Sequence, residues 1–247
     1  MSTFTPGRTT HITEPAQMAT FGRAMRKTGR PVALTVLSRI HPGSLGVVQA
    51  AMTVPRSISV VAVRSSKPVD QEILQALDGV DCVFTSPDAT QRTLINADDK
   101  LTAYARLINL THASDVFVGE DDYPFLIALT HMVRDLGFEV TVHGVPVVRD
   151  TDGVPVGIAP ERRTAAITVS AALTAGGFVA GRGPDVVVET VEQVLQAGGL
   201  TTAQVSLTAP DLSPLAVSPD DARLTVTTDG YADSVLLIFG DEDITRP

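Results

Sequence analysis

Residues that could carry out chemistry stand in short segments that follow apolar runs. One segment is His-Pro-Gly-Ser at 41–44, between an apolar run at 31–37 and a helical pattern at 44–52. A histidine beside the unpaired amides of a helix start can receive phosphate oxygens and stabilise charge that develops during group transfer. A histidine in a surface loop would give the same four letters, so this segment alone leaves both interpretations open.

An acidic segment follows another apolar run. Glu120, Asp121 and Asp122 come directly after 115–119. They could bind a divalent cation, but carboxylates are also favoured in the first turn of any helix because of the helix dipole. The five histidines lack metal-ligand spacing and Cys82 is the only cysteine, so we expect no metal site.

Composition excludes several classes of function. The chain carries 19 Lys and Arg against 28 Asp and Glu, a net charge of −9, which argues against broad nucleic-acid binding. We find no apolar run near the roughly 20 residues that span a bilayer, and no secretory signal pattern at the N-terminus. We therefore expect a cytoplasmic protein that does not bind membranes.

Alternating short strands and helices must position these segments. Apolar strand patterns occur at 31–37, 57–63, 81–85, 115–119 and 138–145, with helical patterns between them. This order predicts an α/β fold with a Rossmann-like, doubly wound and mostly parallel sheet. In such sheets ligands bind at the carboxyl ends of the strands, which is where both polar segments fall.

The pattern changes after residue 153. Helical patterns at 161–177 and 184–199 precede three strand patterns at 202–209, 222–228 and 233–239. We predict a Rossmann-like N-terminal domain over 1–153 and a small α+β C-terminal domain over 154–247.

Several segments, read in order, resemble the pantothenate synthetase (pantoate–β-alanine ligase) family. They are TGRPVALTV, VVQAAMTVPRSISVV, DVFVGEDDYPFLIALTHMVRDLGFEVTVHGVPVVRDTDG and AAITVSAALTAGG. The resemblance implies a nucleotidyltransferase-like fold and a reaction in which ATP activates pantoate as pantoyl adenylate before β-alanine attacks. It also implies a dimer formed through the N-terminal domain.

The family's site positions are only partly retained. Its H-x-G-H signature falls on His41 and Gly43, whereas Ser44 stands in place of the second histidine. Its Pro-Thr-Met-Gly turn falls on 35–38, and its substrate-binding glutamine near 65–70; neither is retained. We therefore expect His41 to be a vestigial catalytic residue and Gly43 and Ser44 to be vestigial ATP-site positions.

The remaining motifs have changed more. The Gly-x-Lys-Asp-x-x-Gln motif keeps Gly119 and Asp122, but its phosphate-binding lysine has become Asp121 and its pantoate-binding glutamine Phe125. The Met-Ser-Ser-Arg-Asn loop falls on 156–160, which includes Gly157 and has neither hydroxyls nor arginine. Gly119, Asp122 and Gly157 are thus also expected to be vestigial ATP-site positions. Arg162 and Arg163 could replace the lost arginine, or form an ordinary solvated helix start.

These changes predict a family member that keeps the scaffold and lacks most catalytic residues. We expect a non-catalytic paralogue that binds a partner, as a homodimer or as a heterodimer with an active pantothenate synthetase. No cofactor is expected; ATP and Mg²⁺ would bind only if the family site still functions. Two alternatives stay open: a divergent ATP-dependent ligase or nucleotidyltransferase that uses His41, and a small-molecule sensor.

Overall fold

The computed structural model describes residues 9–64, 69, 71–86, 100–217 and 219–239. The chain forms two compact units. The first comprises residues 1–120 and 125–147, and the second comprises residues 121–124 and 148–247. The segment 65–70, where the resemblance places a substrate-binding glutamine that is not retained, lies outside the described residues except for residue 69.

The first unit is built on a six-stranded sheet. Its strands, in chain order, are β1 (Thr10–Ile12), β2 (Val32–Leu37), β3 (Ile58–Arg64), β4 (Cys82–Ser86), β5 (Asp115–Gly119) and β6 (Thr141–Val145). Its helices are α1 (Pro15–Lys27), α2 (Pro42–Met52), α3 (Gln71–Ala76), α4 (Lys100–Thr111) and α5 (Tyr123–Asp135). The spatial order is β1-β4-β3-β2-β5-β6 and every neighbouring pair is parallel. The predicted doubly wound parallel sheet is therefore confirmed.

The order of strands locates the place where a ligand would bind. From β2 the chain proceeds to β3 and β4 on one side, then returns to β5 and β6 on the other. The direction therefore reverses between β2 and β5, and the carboxyl ends of these two strands form the switch point of the sheet. Helix α2 starts just after β2 and packs on both strands through the contact of Ala51 with Ala33 and Phe117.

Burial explains why the central strands could be predicted from the sequence. Residues 58–63 of β3 are all buried, as are five of the six residues of β2. A continuous apolar run is what a strand covered on both faces requires. The lone cysteine, Cys82, belongs to this core, and burial followed by the charge of Asp81 raises its pKa to about 12. It is therefore an inert thiol rather than a nucleophile.

The second unit has two helices and three strands, as predicted. They are α6 (Arg163–Phe178), α7 (Pro184–Ala197), β7 (Gln204–Thr208), β8 (Asp221–Thr228) and β9 (Tyr231–Ile238). The strands form an antiparallel sheet in the order β7-β8-β9. Its core joins α6, α7 and the sheet, and Gly176 allows the close approach: a Cβ there would lie 2.8 Å from side chains of both Val191 and Leu224.

One strand boundary and one short strand stand out as differing from the sequence prediction. The strand expected at 138–145 begins only at Thr141, because the Phe138 amide donates to Val133 and closes the end of α5. Strand β1 was not predicted, since three residues are too short to show a period. In the part of the chain that the structure describes, no helix is both long and apolar enough to span a bilayer.

Candidate functional site at the switch point

The start of α2 contains the retained histidine of the first segment. His41 is extended (φ −154°, ψ 164°) and caps the helix, and Pro42 in the first turn fits there because it needs no amide partner. The Ser44 hydroxyl accepts from the His41 amide at 3.0 Å and donates to the His41 carbonyl at 2.9 Å. The Ser44 amide in turn points at His41 Nδ1 at 3.4 Å. Ser44, which stands in place of the second histidine, therefore uses its hydroxyl to cap the helix.

Gly119 ends β5, the strand beside β2, and leads into a 3-10 turn over Glu120–Asp122. Glu120 lies over Gly144 of β6: a Cβ on that glycine would come 3.1 Å from Glu120 Oε1 and 2.9 Å from Leu126. The acidic segment therefore starts close to the backbone of its neighbouring strand. Among the residues that the structure describes, no group of three His, Cys, Asp or Glu side chains could hold a metal ion.

Phe125 stands where the resemblance places the family's pantoate-binding glutamine. Its side chain is buried, with only 8% of the residue exposed. The ring packs edge-on against Tyr104 of α4 at 4.8 Å between centroids, and the Lys100 ammonium lies 3.7 Å from its centroid. Sequence reasoning missed both partners, although their i, i+4 spacing on a helical pattern places them on one face. A phenyl ring held in this way offers no hydrogen bond to a polar substrate.

Two of the other histidines have side-chain partners. His143 on β6 stacks on Phe117 at 4.5 Å and contacts Asp115 Oδ1 at 2.8 Å through Nε2. His11 on β1 lies 2.7 Å from Thr85. Each of these two rings thus contacts a neighbouring strand of the sheet.

Gly157 lies in the second unit, in the segment where the resemblance places the phosphate-gripping loop. It has φ 90°, a conformation that glycine adopts without strain. Of the two candidate arginines nearby, Arg163 is not an evident substitute. Arg163 donates to Asp150 at 2.8 Å and to Asp152 at 2.5 Å, so its charge is already matched by two carboxylates. The hydrogen bond from Arg163 also lowers the pKa of Asp150.

The structure brings some predicted site residues together and separates others by unit. His41, Gly43 and Ser44 share the first turn of α2, and Gly119 ends the adjoining strand across the switch point. Asp122 and Gly157 belong to the second unit.

A doubly wound sheet with a histidine at the helix start beside its switch point defines a Rossmann-like, nucleotidyltransferase-like protein. Comparison with known proteins gives the family. The pantoate–β-alanine ligase family model matches residues 99–238. A pantothenate synthetase from Corynebacterium jeikeium is 36% identical over 91% of this chain and 87% of its own length, and one from Mycobacterium avium is 30% identical over 90% and 86%. The chain belongs to the pantoate–β-alanine ligase family.

The fold agrees with this assignment. The crystal structure of pantothenate synthetase from Thermus thermophilus matches with a TM-score of 0.68 and 24% identity, covering 93% of this chain and 99% of that one. At this identity the match supports the fold alone.

The residues at the expected ATP positions do not fit a polyphosphate. Asp121 places a carboxylate where the resemblance expects a lysine. Two unit charges at close range attract or repel each other by about 1 to 4 kcal/mol, so this change replaces an attraction for phosphate with a repulsion. Ser44 is occupied by the cap of α2, and 156–160 offers no hydroxyl or guanidinium. We therefore derive no catalytic step through ATP.

Proposed function

We propose that this chain does not carry out the ligase reaction of its family and acts by binding a protein partner. The observation that carries the proposal is Phe125, whose buried ring occupies the position of the pantoate-binding glutamine between Tyr104 and Lys100. A polar substrate placed there would lose its hydrogen bonds to water and gain none, which costs about 1 to 3 kcal/mol for each unpaired group.

The changes around Phe125 act in the same direction. Asp121 repels phosphate, Ser44 caps its own helix, and Arg163 is held by Asp150 and Asp152. Loss of one stabilising donor from an active site lowers the rate by about 10² to 10³. Several such losses together leave no route to transition-state stabilisation at this edge of the sheet.

The partner we propose is a second family scaffold, either another copy of this chain or an active pantothenate synthetase. The support is that the chain matches pantothenate synthetases over 90% or more of its length while its site residues differ. A fold retained without its chemistry is suited to positioning or regulating another protein.

The first experiment is calorimetric titration of the purified chain with ATP and with pantoate, each with and without Mg²⁺. We expect no heat of binding and no rise in melting temperature. Micromolar binding of ATP would refute the loss of the ligase site, since a ligand at 100 times its Kd adds about 2.7 kcal/mol of stability.

The second experiment tests the partner. The tagged chain is isolated from its native cell, and the purified complex is sized by light scattering. We expect either a homodimer or a 1:1 complex with a pantothenate synthetase. A monomer that retains no pantothenate synthetase under mild conditions would contradict the proposal.

A divergent ligase is the second candidate, and the position of His41 favours it. His41 still caps α2 beside the switch point, where a ring nitrogen could meet an anion. Pyrophosphate release measured over a panel of acids and amines would identify such an activity, and His41→Gln should abolish it. Flat traces over the whole panel would exclude it.

A further inference from the structure

A cavity of about 240 Å³ lies in the first unit at the amino ends of β5 and β6. It is formed by the ends of α4 and α5 together with α1, whereas α2 starts at the carboxyl ends of the strands. The cavity is therefore separate from the switch point. Its volume is below the roughly 300 Å³ at which drug-sized pockets begin, so it suits a ligand of amino-acid size.

The two basic residues of the cavity are held by tight packing of α1 on α4. A Cβ on Gly22 would come 2.2 Å from the carbonyl oxygen of Thr111, so the helices touch backbone to backbone. Arg26 follows Gly22 by one turn, and His112 follows Thr111 directly. This contact brings both residues into the lining of the cavity.

His112 has an unusual backbone conformation. Its φ is 51°, the left-handed region, and the Ala113 amide donates to the Ile108 carbonyl to close the helix end. Glycine is the usual residue at this position because it has no side chain to strain. A strained histidine facing a cavity is a reason to look for a ligand.

Charges of both signs face the cavity without meeting. Arg26 and Glu139 both line it, as do His112 and Asn109. None of these four side chains makes a hydrogen bond or ion pair with another residue that the structure describes. Burial, followed by the charges of Arg23 and Arg26, lowers the pKa of His112.

Other parts of the cavity lining favour a cation. Helices α4 and α5 both end at the cavity, at Thr111 and Asp135, and the carboxyl end of a helix carries a partial negative charge. Glu139 adds a full negative charge to the lining. A simple anion would meet this repulsion and a simple cation would meet Arg26, whereas a zwitterion carries a charge that suits each of them. Ile108 and Phe138 add apolar surface to the same lining.

We propose that this cavity binds a free amino acid with an aliphatic side chain. Arg26 and His112 receive the carboxylate, Glu139 and the helix ends receive the ammonium group, and the side chain packs on Ile108 and Phe138.

Three probes of the same shape test the proposal by calorimetry on the full chain. L-leucine has both charged groups, 4-methylpentanoate lacks the ammonium group, and isopentylamine lacks the carboxylate. We expect leucine to bind at least about tenfold more tightly than either analogue, because each analogue lacks one of the two charged groups that contact the cavity. Equal binding of leucine and 4-methylpentanoate would reduce the cavity to an anion site and overturn the proposal, as would no binding of leucine at millimolar concentration.

Variants locate the site. Arg26→Gln should weaken leucine about tenfold without affecting isopentylamine, and Glu139→Gln should weaken leucine without affecting 4-methylpentanoate. Arg182→Gln removes the same charge from the second unit and serves as the control. Circular dichroism checks that each variant folds, and the NMR signals of the His112 ring should shift with leucine. Unchanged affinity in both cavity variants would refute the assignment.

Discussion

At the scale of single residues, two buried threonines differ in whether their hydroxyls have a partner. Thr35 on β2 is 1% exposed, and its hydroxyl has no partner among the described residues. The hydroxyl of Thr111, fully buried, donates to the Leu107 carbonyl at 2.8 Å. An unpaired buried hydroxyl costs about 1 to 3 kcal/mol, whereas a paired one contributes about 1 kcal/mol.

We therefore expect opposite results from the same substitution. Thr35→Val should leave the free energy of unfolding unchanged or raise it by about 1 kcal/mol, and Thr111→Val should lower it by about the same amount. Urea denaturation of both variants against the parent chain measures this. Equal losses in the two variants would mean that Thr35 has a hydrogen bond after all.

Phe125 gives a second prediction at this scale. Phe125→Ala removes a buried ring from its contact with Tyr104 and should lower the free energy of unfolding by about 3 to 5 kcal/mol. Lys100→Met removes the exposed cation over the ring, a contact worth about 0.5 to 1 kcal/mol. A Phe125→Ala variant as stable as the parent would show that the ring does not belong to the packed core. It would also remove the main support for a closed substrate position.

At the scale of elements, the contact of α1 with α4 depends on one glycine. Gly22→Ala would place a methyl group 2.2 Å from the Thr111 carbonyl oxygen, so the helices must separate. We expect a loss of about 1 to 3 kcal/mol and weaker leucine binding, because Arg26 moves with α1. Gly181→Ala is the control, since a Cβ there meets nothing within 4 Å. Thermal unfolding compares the two, and equal melting temperatures would contradict the prediction.

The elements also show what sequence could predict. Central strands such as β3 were predictable because burial on both faces requires an unbroken apolar run. Gly137 follows the end of α5 in the left-handed conformation, with φ 65°, which is the usual place of a glycine after a helix. Strand β1 could not be predicted, because its place in the sheet comes from pairing with β4, far along the chain.

The site was predictable only as far as residues that follow each other in sequence. His41 and Ser44 were expected at one helix start, and they lie there. Three side-chain contacts could not be predicted: Ser44 with His41, Arg163 with Asp150, and Lys100 with the ring of Phe125. They depend on rotamers and on contacts between elements, which residue spacing does not encode.

At the scale of the whole molecule, we expect the lowered pKa values of His112 and Asp150 to make stability depend on pH. The pKa of His112 is lowered from 6.5, so the unfolded chain takes up a proton before the folded chain does. Stability should therefore fall as the pH drops below about 6.5, until the folded state is also protonated. The pKa of Asp150 is lowered from 3.8, chiefly by Arg163. Its contribution is present above pH 3.8 and is lost as the pH falls further.

Two variants separate these windows. His112→Asn keeps a residue that tolerates the left-handed backbone but removes the titrating ring, so the loss of stability just below pH 6.5 should shrink. Arg163→Met leaves that upper window intact and should shrink only the loss below pH 3.8, because Asp150 then has no guanidinium partner. The measurement is the urea midpoint of each variant at a series of pH values from 8 to 3. If His112→Asn and the parent chain lose stability in parallel between pH 7 and pH 5, neither burial nor the charges of Arg23 and Arg26 lower the pKa of His112 in the folded chain. His112 would then lack the partly buried surroundings described for it at the cavity.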